Sequence, residues 1–321
     1  MTTTRNKKFE LIADSAIEVF GRKLFRIRAL ISFGNVSAGE LGGYVEKAKN
    51  VAENGDAWVS GDARVSDDAR VYGNARVYGN ARVYGNAQVY GNAQVYGDAQ
   101  VYGNAQVSDD AWVYGNALVS GNARVSGDAL VSGDALVSDD ARVYGNAQVY
   151  GDAQVYGNAQ VSGDALVSDD ARVYGNAQVS DDAWVYGNAL VSGNARVSGD
   201  ALVSGDARVS GDAWVYGNAQ VYGDAQVYGN ARVYGNAQLV WFSKVGSENG
   251  TLTVFRASAG LMVSRGCFLG TDEEFLAAVD KRHGADSKIG REYHLLIEVA
   301  RSRIDVSIPV AADEAAEPEA A

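Results

Sequence analysis

The residues best suited to covalent chemistry are one cysteine, Cys267, and two histidines, His283 and His294, all beyond residue 240. A thiol beside an imidazole is the arrangement that enzymes use to generate a thiolate nucleophile. However, Cys267 sits between Gly266 and Phe268 in an apolar stretch, where a lone cysteine is more often a core residue. We therefore expect Cys267 in the core of a strand, and we assign no catalytic residue, no metal ligand and no cofactor.

Aspartate offers a second kind of chemistry, because carboxylates are the preferred ligands of calcium. Residues 51–240 contain twenty-one Asp, often in pairs such as Asp67-Asp68. The Gly-Gly-x-Gly-x-Asp nonapeptide that binds calcium in some repeat proteins is absent. The same stretch contains no His, Cys or Lys, so it supplies none of the usual bases or nucleophiles. We interpret these aspartates as corner-forming, solubilising residues.

A six-residue repeat must position these side chains. From Val59 to Val233 a valine occurs at every sixth position, and an alanine precedes each valine by two residues. A period of six fits neither a helix nor a plain strand, so each unit is predicted to be one short strand and one corner. In the unit that begins at Ala81, alternation places Ala81 and Val83 inward and Arg82 outward. The narrow core favours three units, or eighteen residues, per turn.

The unit Val-Tyr-Gly-Asn-Ala-Arg resembles the hexapeptide repeat of left-handed parallel β-helices, the fold of the trimeric acyltransferases. The resemblance covers about residues 51–240 and implies a left-handed triangular β-solenoid of about ten turns. Three flanking segments resemble parts of uncharacterised phage and bacterial repeat proteins. These segments are Phe33 to Val36, Leu41 to Glu46, and Gly266 to Thr271 with Glu274-Phe275. Some of those are labelled acyltransferases by fold alone, which does not establish an activity.

The outward position before each valine varies along the repeats. With eighteen residues per turn, six apolar residues at separations that are multiples of eighteen share one face. They are Trp58, Trp112, Leu130, Leu166, Trp184 and Leu202. Apolar side chains exposed along one face mark contact with a protein partner or a second copy, so this face is the predicted interface. Duplication is the alternative explanation, because residues 108–134 recur unchanged at 180–206.

The net charge of −12 is unevenly distributed. Residues 1–50 carry +4, residues 51–240 carry −12 and residues 241–321 carry −4. The repeats are therefore predicted to repel nucleic acid. Twelve charges on a rod of roughly 50 Å give one per about 4 Å, less than half the density of B-DNA at about one per 1.7 Å. This low density argues against a DNA mimic.

The ends of the repeats are predicted to be capped. Residues 16–20 and 24–28 alternate around Gly21, which predicts a β-hairpin in the cap and lead-in, residues 1–50. Beyond the solenoid, residues 51–240, we predict a small α+β module, residues 241–310, followed by a disordered acidic tail, residues 311–321. The module is predicted to contain strands at 251–256 and 261–268 and a helix from a capping box at Thr271 and Glu274 to His283. A second helix through Tyr293 and a final strand at 304–308 complete it.

These patterns together predict a cytoplasmic protein, in the host cytoplasm if phage-encoded, since neither a signal peptide nor eighteen consecutive apolar residues occurs. We expect a non-enzymatic scaffold or protein-binding module of phage or prophage type that presents a repetitive rigid surface. One alternative is a hexapeptide-family acyltransferase, although the family's histidine base has no counterpart in the repeats. The other is an acidic DNA-mimic inhibitor of a DNA-binding protein.

Overall fold

The repeats form a parallel β-solenoid in the computed structural model, which describes residues 6–235, 238–257, 260–304 and 306. Thirty two-residue strands, β4 to β33, follow one another at six-residue intervals from Trp58–Val59 to Arg232–Val233. Each of β4 to β30 pairs in parallel with the strand eighteen residues later, which confirms the predicted turn length. With β3 (Leu41–Val45) and a parallel bridge from Val51 to Val71, the solenoid has about eleven turns.

Three parallel sheets form the sides of the solenoid. Sheet 1 contains β3 and every third strand from β5 to β32, sheet 2 every third strand from β4 to β31, and sheet 3 every third strand from β6 to β33. The repeat alanines and valines are fully buried in a continuous core. Each buried valine contributes about 1.5–3 kcal/mol relative to exposure, so the inward positions hold the rod together and leave the outward positions free to vary.

Each corner is built by a residue with positive φ. In most units this residue is glycine, such as Gly133 with φ of 69°. Successive corners are bonded to one another, since the backbone N–H of Asn116 donates to the carbonyl of Gly133 at 2.8 Å. In the Ser-Asp-Asp corners the first aspartate takes the positive φ, and its carboxylate accepts from the glycine N–H of the next turn, as Asp109 does from Gly127 at 3.2 Å. The aspartate thus replaces the glycine and adds a bond.

An antiparallel hairpin covers the first turn. It consists of β1 (Phe9–Val19) and β2 (Arg22–Ala29), and β3 joins it to the parallel part of sheet 1. The hairpin was predicted, but its turn is Phe20-Gly21, both with positive φ, and Arg22 and Lys23 already belong to β2. A short 3₁₀ helix, Ala48–Asn50, leads into the repeats.

The C-terminal module is a four-stranded antiparallel sheet followed by two helices. Its strands are β34 (Leu239–Val245), β35 (Gly250–Ala257), β36 (Gly260–Arg265) and β37 (Phe268–Thr271), and its helices are α1 (Asp272–His283) and α2 (Lys288–Arg303). The capping box of Thr271 and Glu274 starts α1 as predicted. The strand predicted at 261–268 is instead a hairpin, whose turn contains an exposed Cys267. The expectation that Cys267 is a core residue is therefore wrong.

The C-terminal sheet closes the last turn of the solenoid. Leu239 and Phe255 belong to the same core as the repeat valines. The backbone N–H of Gln226 donates to the Thr253 hydroxyl at 3.0 Å, and Trp241 packs edge-on against Tyr222 with ring centroids 4.3 Å apart. The predicted tail at 311–321 and most of the predicted strand at 304–308 lie outside the described residues. Neither helix in the described part of the chain is long and apolar enough to cross a membrane.

Candidate protein-binding face

Sheet 2 places all six predicted interface residues in one outward column. Along this column from β7 to β31 the outward residues are, in order, Arg76, Gln94, Trp112, Leu130, Gln148, Leu166, Trp184, Leu202 and Gln220. We call Trp112, Leu130, Leu166, Trp184 and Leu202 the apolar stripe. Neighbouring members of the column are one strand spacing, about 4.8 Å, apart. The apolar stripe is interrupted once, by Gln148 between Leu130 and Leu166. The other two sheets carry Leu118, Leu136 and Leu190 on sheet 1 and Trp214 on sheet 3.

Trp58 belongs to the same column but not to the exposed face. Its side chain is buried beneath the N-terminal cap. The rings of Phe9 and Phe33 meet it edge-on at centroid distances of 6.2 and 5.4 Å. The predicted interface therefore loses its first member, because cap residues distant in sequence cover it.

The two remaining tryptophans of the stripe are among the more exposed large apolar side chains. Trp112 is 40% exposed and Trp184 is 49% exposed, whereas the three leucines are half-buried. The edge of Tyr96 supports the Trp112 ring at a centroid distance of 6.3 Å. At the equivalent position, sixteen residues earlier, Trp184 has Ser168 rather than a tyrosine, which leaves more of its ring in water. Two indoles that protrude from a rigid face are typical anchors of a protein interface.

An acidic edge runs beside the apolar stripe. The residue two before each stripe member is an exposed aspartate at the end of the corner that precedes the strand. We define this acidic edge as Asp110, Asp128, Asp164, Asp182 and Asp200. Where the outward residue of sheet 2 is Arg or Gln, between β7 and β31, the same position is asparagine: Asn74, Asn92, Asn146 and Asn218. The aspartates thus accompany the apolar residues and not the polar ones.

Negative charge surrounds this face. The two corner columns that border sheet 2 carry fifteen exposed aspartates, of which eight lie on the corner opposite the acidic edge. Those eight are Asp62, Asp98, Asp134, Asp152, Asp169, Asp170, Asp206 and Asp224. None of the fifteen forms an ion pair within the described part of the chain. The outward positions of sheet 2 offer a single cation, Arg76.

Side-chain ladders stiffen the surface beside the stripe. Tyr78, Tyr96 and Tyr114 stack with centroids 4.8–5.0 Å apart and nearly parallel rings. The Tyr78 hydroxyl donates to Gln94 Oε1 at 3.0 Å, and burial raises the pKa of both Tyr78 and Tyr96, so these phenols stay neutral. Side-chain amides of the corner asparagines also donate hydrogen bonds to the corner residue of the next turn. The acceptor in some of these bonds is an acidic-edge carboxylate, as where Asn92 donates to Asp110. Sequence reasoning missed the ladders and the acidic edge, although both follow once residues eighteen apart are compared.

The C-terminal module holds the cysteine and histidines in two places. Cys267 and His283 line one open cleft of about 230 Å³, together with Glu248 and Arg265. His294 instead pairs with Asp280, with 2.8 Å between Nε2 and Oδ1. Among the described residues, no hydrogen bond joins the thiol to either imidazole, and no group of three or more potential metal ligands occurs.

Comparison with known families agrees with this architecture. A family model described as the YdcK beta-solenoid repeat matches overlapping segments that together cover residues 63–223 and 225–239, more than half of the chain. The chain therefore belongs to the YdcK beta-solenoid repeat family. No curated protein matches the chain.

Proposed function

We propose that this member of the YdcK beta-solenoid repeat family is a non-enzymatic scaffold of phage or prophage type, which binds a protein partner through sheet 2. The observation that carries the proposal is the exposure of Trp112 and Trp184 on a rod whose valine core is fully buried. Exposed indoles favour non-specific association, so their presence on this face is best explained by a binding role.

The rigidity of the solenoid supports the scaffold role. Every sheet is bonded turn to turn through the backbone, as Trp184 N–H donates to the Ala201 carbonyl at 2.9 Å. The face is therefore already in its binding conformation, and little conformational entropy is lost when a partner docks. The solenoid also keeps the hairpin cap and the C-terminal module on opposite ends, about 50 Å apart for eleven turns.

The other two functions explain fewer features. An acyltransferase would need a general base on the solenoid, and the repeats contain no histidine. A DNA mimic would use the aspartates beside sheet 2 but would leave the apolar stripe without a role. A protein-binding face gives a role to the stripe and to the rigid rod that carries it.

Substitution of single tryptophans tests the proposal. Trp184→Ala is expected to weaken partner capture from a host lysate by about thirtyfold, the effect of losing a hot spot of about 2 kcal/mol. The matched control is Trp214→Ala on sheet 3, where the indole lies between Arg196 and Arg232. Both variants should keep the parent melting temperature to within a few degrees. Equal capture by parent, Trp184→Ala and Trp112→Ala would refute sheet 2 as the binding face.

A further inference from the structure

We infer that sheet 2 binds a basic amphipathic α-helix of a partner protein. The helix lies along the solenoid axis, with apolar side chains on the apolar stripe and Lys or Arg side chains beside the acidic edge. This inference rests on the proposed function and adds the charge and the shape of the partner.

The charge of the partner follows from the carboxylates beside the stripe. A partner that covers Trp112 and Trp184 also removes water from Asp110 and Asp182, because these exposed aspartates end the corners that immediately precede the two strands. The Asp110 carboxylate already accepts a hydrogen bond from the Asn92 side-chain amide at 2.9 Å. Removing water from a carboxylate that has no cation beside it is still unfavourable unless the partner supplies a cation or further hydrogen-bond donors. These aspartates have no cationic partner within the described chain. The partner must therefore supply the positive charge.

The same charges disfavour a second copy of this chain as the occupant. Pairing two copies of sheet 2 would bring together two faces that are each bordered by fifteen exposed aspartates. Arg76 is the one cation in the outward column of each copy, and it lies outside the stripe. Like charges at an interface oppose association, so a basic partner fits this face and another acidic solenoid does not.

The shape of the partner follows from the backbone. The N–H groups of Trp112 and Trp184 already donate to the carbonyls of Ala129 and Ala201 in the next turn, both at 2.9 Å. Sheet 2 therefore offers no free strand edge along this stretch, and the partner cannot bind by adding a strand. From Trp112 to Leu202 the stripe spans five strand spacings, about 24 Å. An α-helix covers that length with about sixteen residues, and it presents apolar and basic side chains on adjacent faces.

The probe is a synthetic eighteen-residue amphipathic helix with leucines on one face and lysines on the flanks, titrated against the full chain by tryptophan fluorescence. The test variant replaces the five acidic-edge aspartates with asparagine, the residue found at this position in the polar units of the same sheet. The matched control makes five Asp→Asn changes at Asp98, Asp134, Asp152, Asp206 and Asp224 on the opposite corner. Each variant loses five negative charges, so their net charges are equal. A second probe carries glutamates in place of lysines on the same leucine face.

We expect the lysine probe to bind the acidic-edge variant about tenfold more weakly than the parent, since five exposed pairs at about 0.3 kcal/mol each amount to one decade in Kd. The opposite-corner control should bind with less than a threefold loss, and the glutamate probe should not bind. Equal losses in both variants would show attraction to net charge alone and would overturn the inference. So would equal binding of both probes, although loss of that binding in Trp112→Ala and Trp184→Ala would still support the proposed function.

Discussion

Gly133 provides a direct test of how the corners work. Gly133 has φ of 69°, and a Cβ built there would lie 2.9 Å from the Gly151 nitrogen and 3.0 Å from its carbonyl oxygen. Both contacts are to backbone, which the turn-to-turn hydrogen bonds hold in place. An alanine at this position must therefore accept a left-handed conformation and displace the next turn as well.

The cost of Gly133→Ala can be estimated from these two effects. The left-handed conformation costs a non-glycine residue about 1–2 kcal/mol, and close contact in packed surroundings adds about 1–3 kcal/mol. Loss of glycine's freedom in the unfolded chain offsets about 0.4–1 kcal/mol. Gly133→Ala is therefore expected to lower the free energy of unfolding by about 3 kcal/mol.

Gly133→Asp should cost less than Gly133→Ala, although its side chain is larger. It would convert Ser132-Gly133-Asp134 into a Ser-Asp-Asp corner, with Gly151 in the next turn to donate its N–H. Each of the five native corners of this type has such a glycine eighteen residues later, with N–H to carboxylate distances of 3.0–3.2 Å. A hydrogen bond to a charged group contributes about 1.5–3 kcal/mol, so the expected loss falls to about 1 kcal/mol.

Gly115→Asp separates the role of the preceding serine. In two native corners the serine hydroxyl also donates to the aspartate, as Ser108 does to Asp109 at 3.2 Å. Tyr114 precedes Gly115 and cannot make this bond, so Gly115→Asp should be more destabilising than Gly133→Asp. Urea unfolding followed by circular dichroism measures all three variants, with equal m-values required for the comparison. If Gly133→Asp unfolds as easily as Gly133→Ala, the carboxylate bond does not account for aspartate at these corners.

Two further predictions concern the N-terminal cap. Burial lowers the pKa of Lys8 from 10.5 to about 8, even though its ammonium donates to the carbonyls of Ala52, Gly55 and Ala57. Between pH 8 and 10.5 the folded protein then binds fewer protons than the unfolded chain, so the free energy of unfolding should rise with pH over this window. The midpoints of urea unfolding at pH 7.5 and 9.5 measure this rise. The Lys8→Met variant should not show it. Asn50→Ala should lower the unfolding free energy by about 3 kcal/mol, because the buried Asn50 side chain donates to two carbonyls and accepts from the Lys47 amide; an unchanged melting curve would refute that role.

The fold could largely be predicted from the repeats because alanine and valine recur at the inward positions and a few turn-forming residues recur at the corners. Valine and alanine alternation predicted the strands, and glycine with Asn or Asp predicted the corners. Strand β34 was missed because Ala237-Gln238-Leu239 continues the Ala-Gln-Val pattern of the repeats. The turn of the last hairpin was missed because apolar residues lie on both sides of it, at 261–263 and 268–269, as they would in one continuous strand. In both places the local sequence pattern is compatible with two different structures, so the pattern alone could not distinguish them.

The candidate face could be predicted only in part, since an eighteen-residue spacing shows which residues share a face but not which are covered. Trp58 satisfies the spacing as well as Trp112 does. Its burial depends on Phe9 and Phe33, which approach from the cap. The acidic edge, by contrast, was already present in the sequence. It needed only the comparison of each outward residue with the residue two positions before it.

Copying by a whole number of turns explains why part of the stripe lies on one face, but it does not explain Leu166. The repeat of 108–134 at 180–206 is offset by seventy-two residues, which is four turns, so Trp184 and Leu202 inherit sheet 2 from Trp112 and Leu130. Residues 131–149 recur at 161–179 with an offset of thirty, which is not a whole number of turns. The two copies therefore place the same Asp-Ala-Leu unit on different sheets, on sheet 1 at Leu136 and on sheet 2 at Leu166. Leu166 and Asp164 thus belong to the stripe and its acidic edge although the matching unit lies on another face, as expected if sheet 2 is the face that contacts a partner.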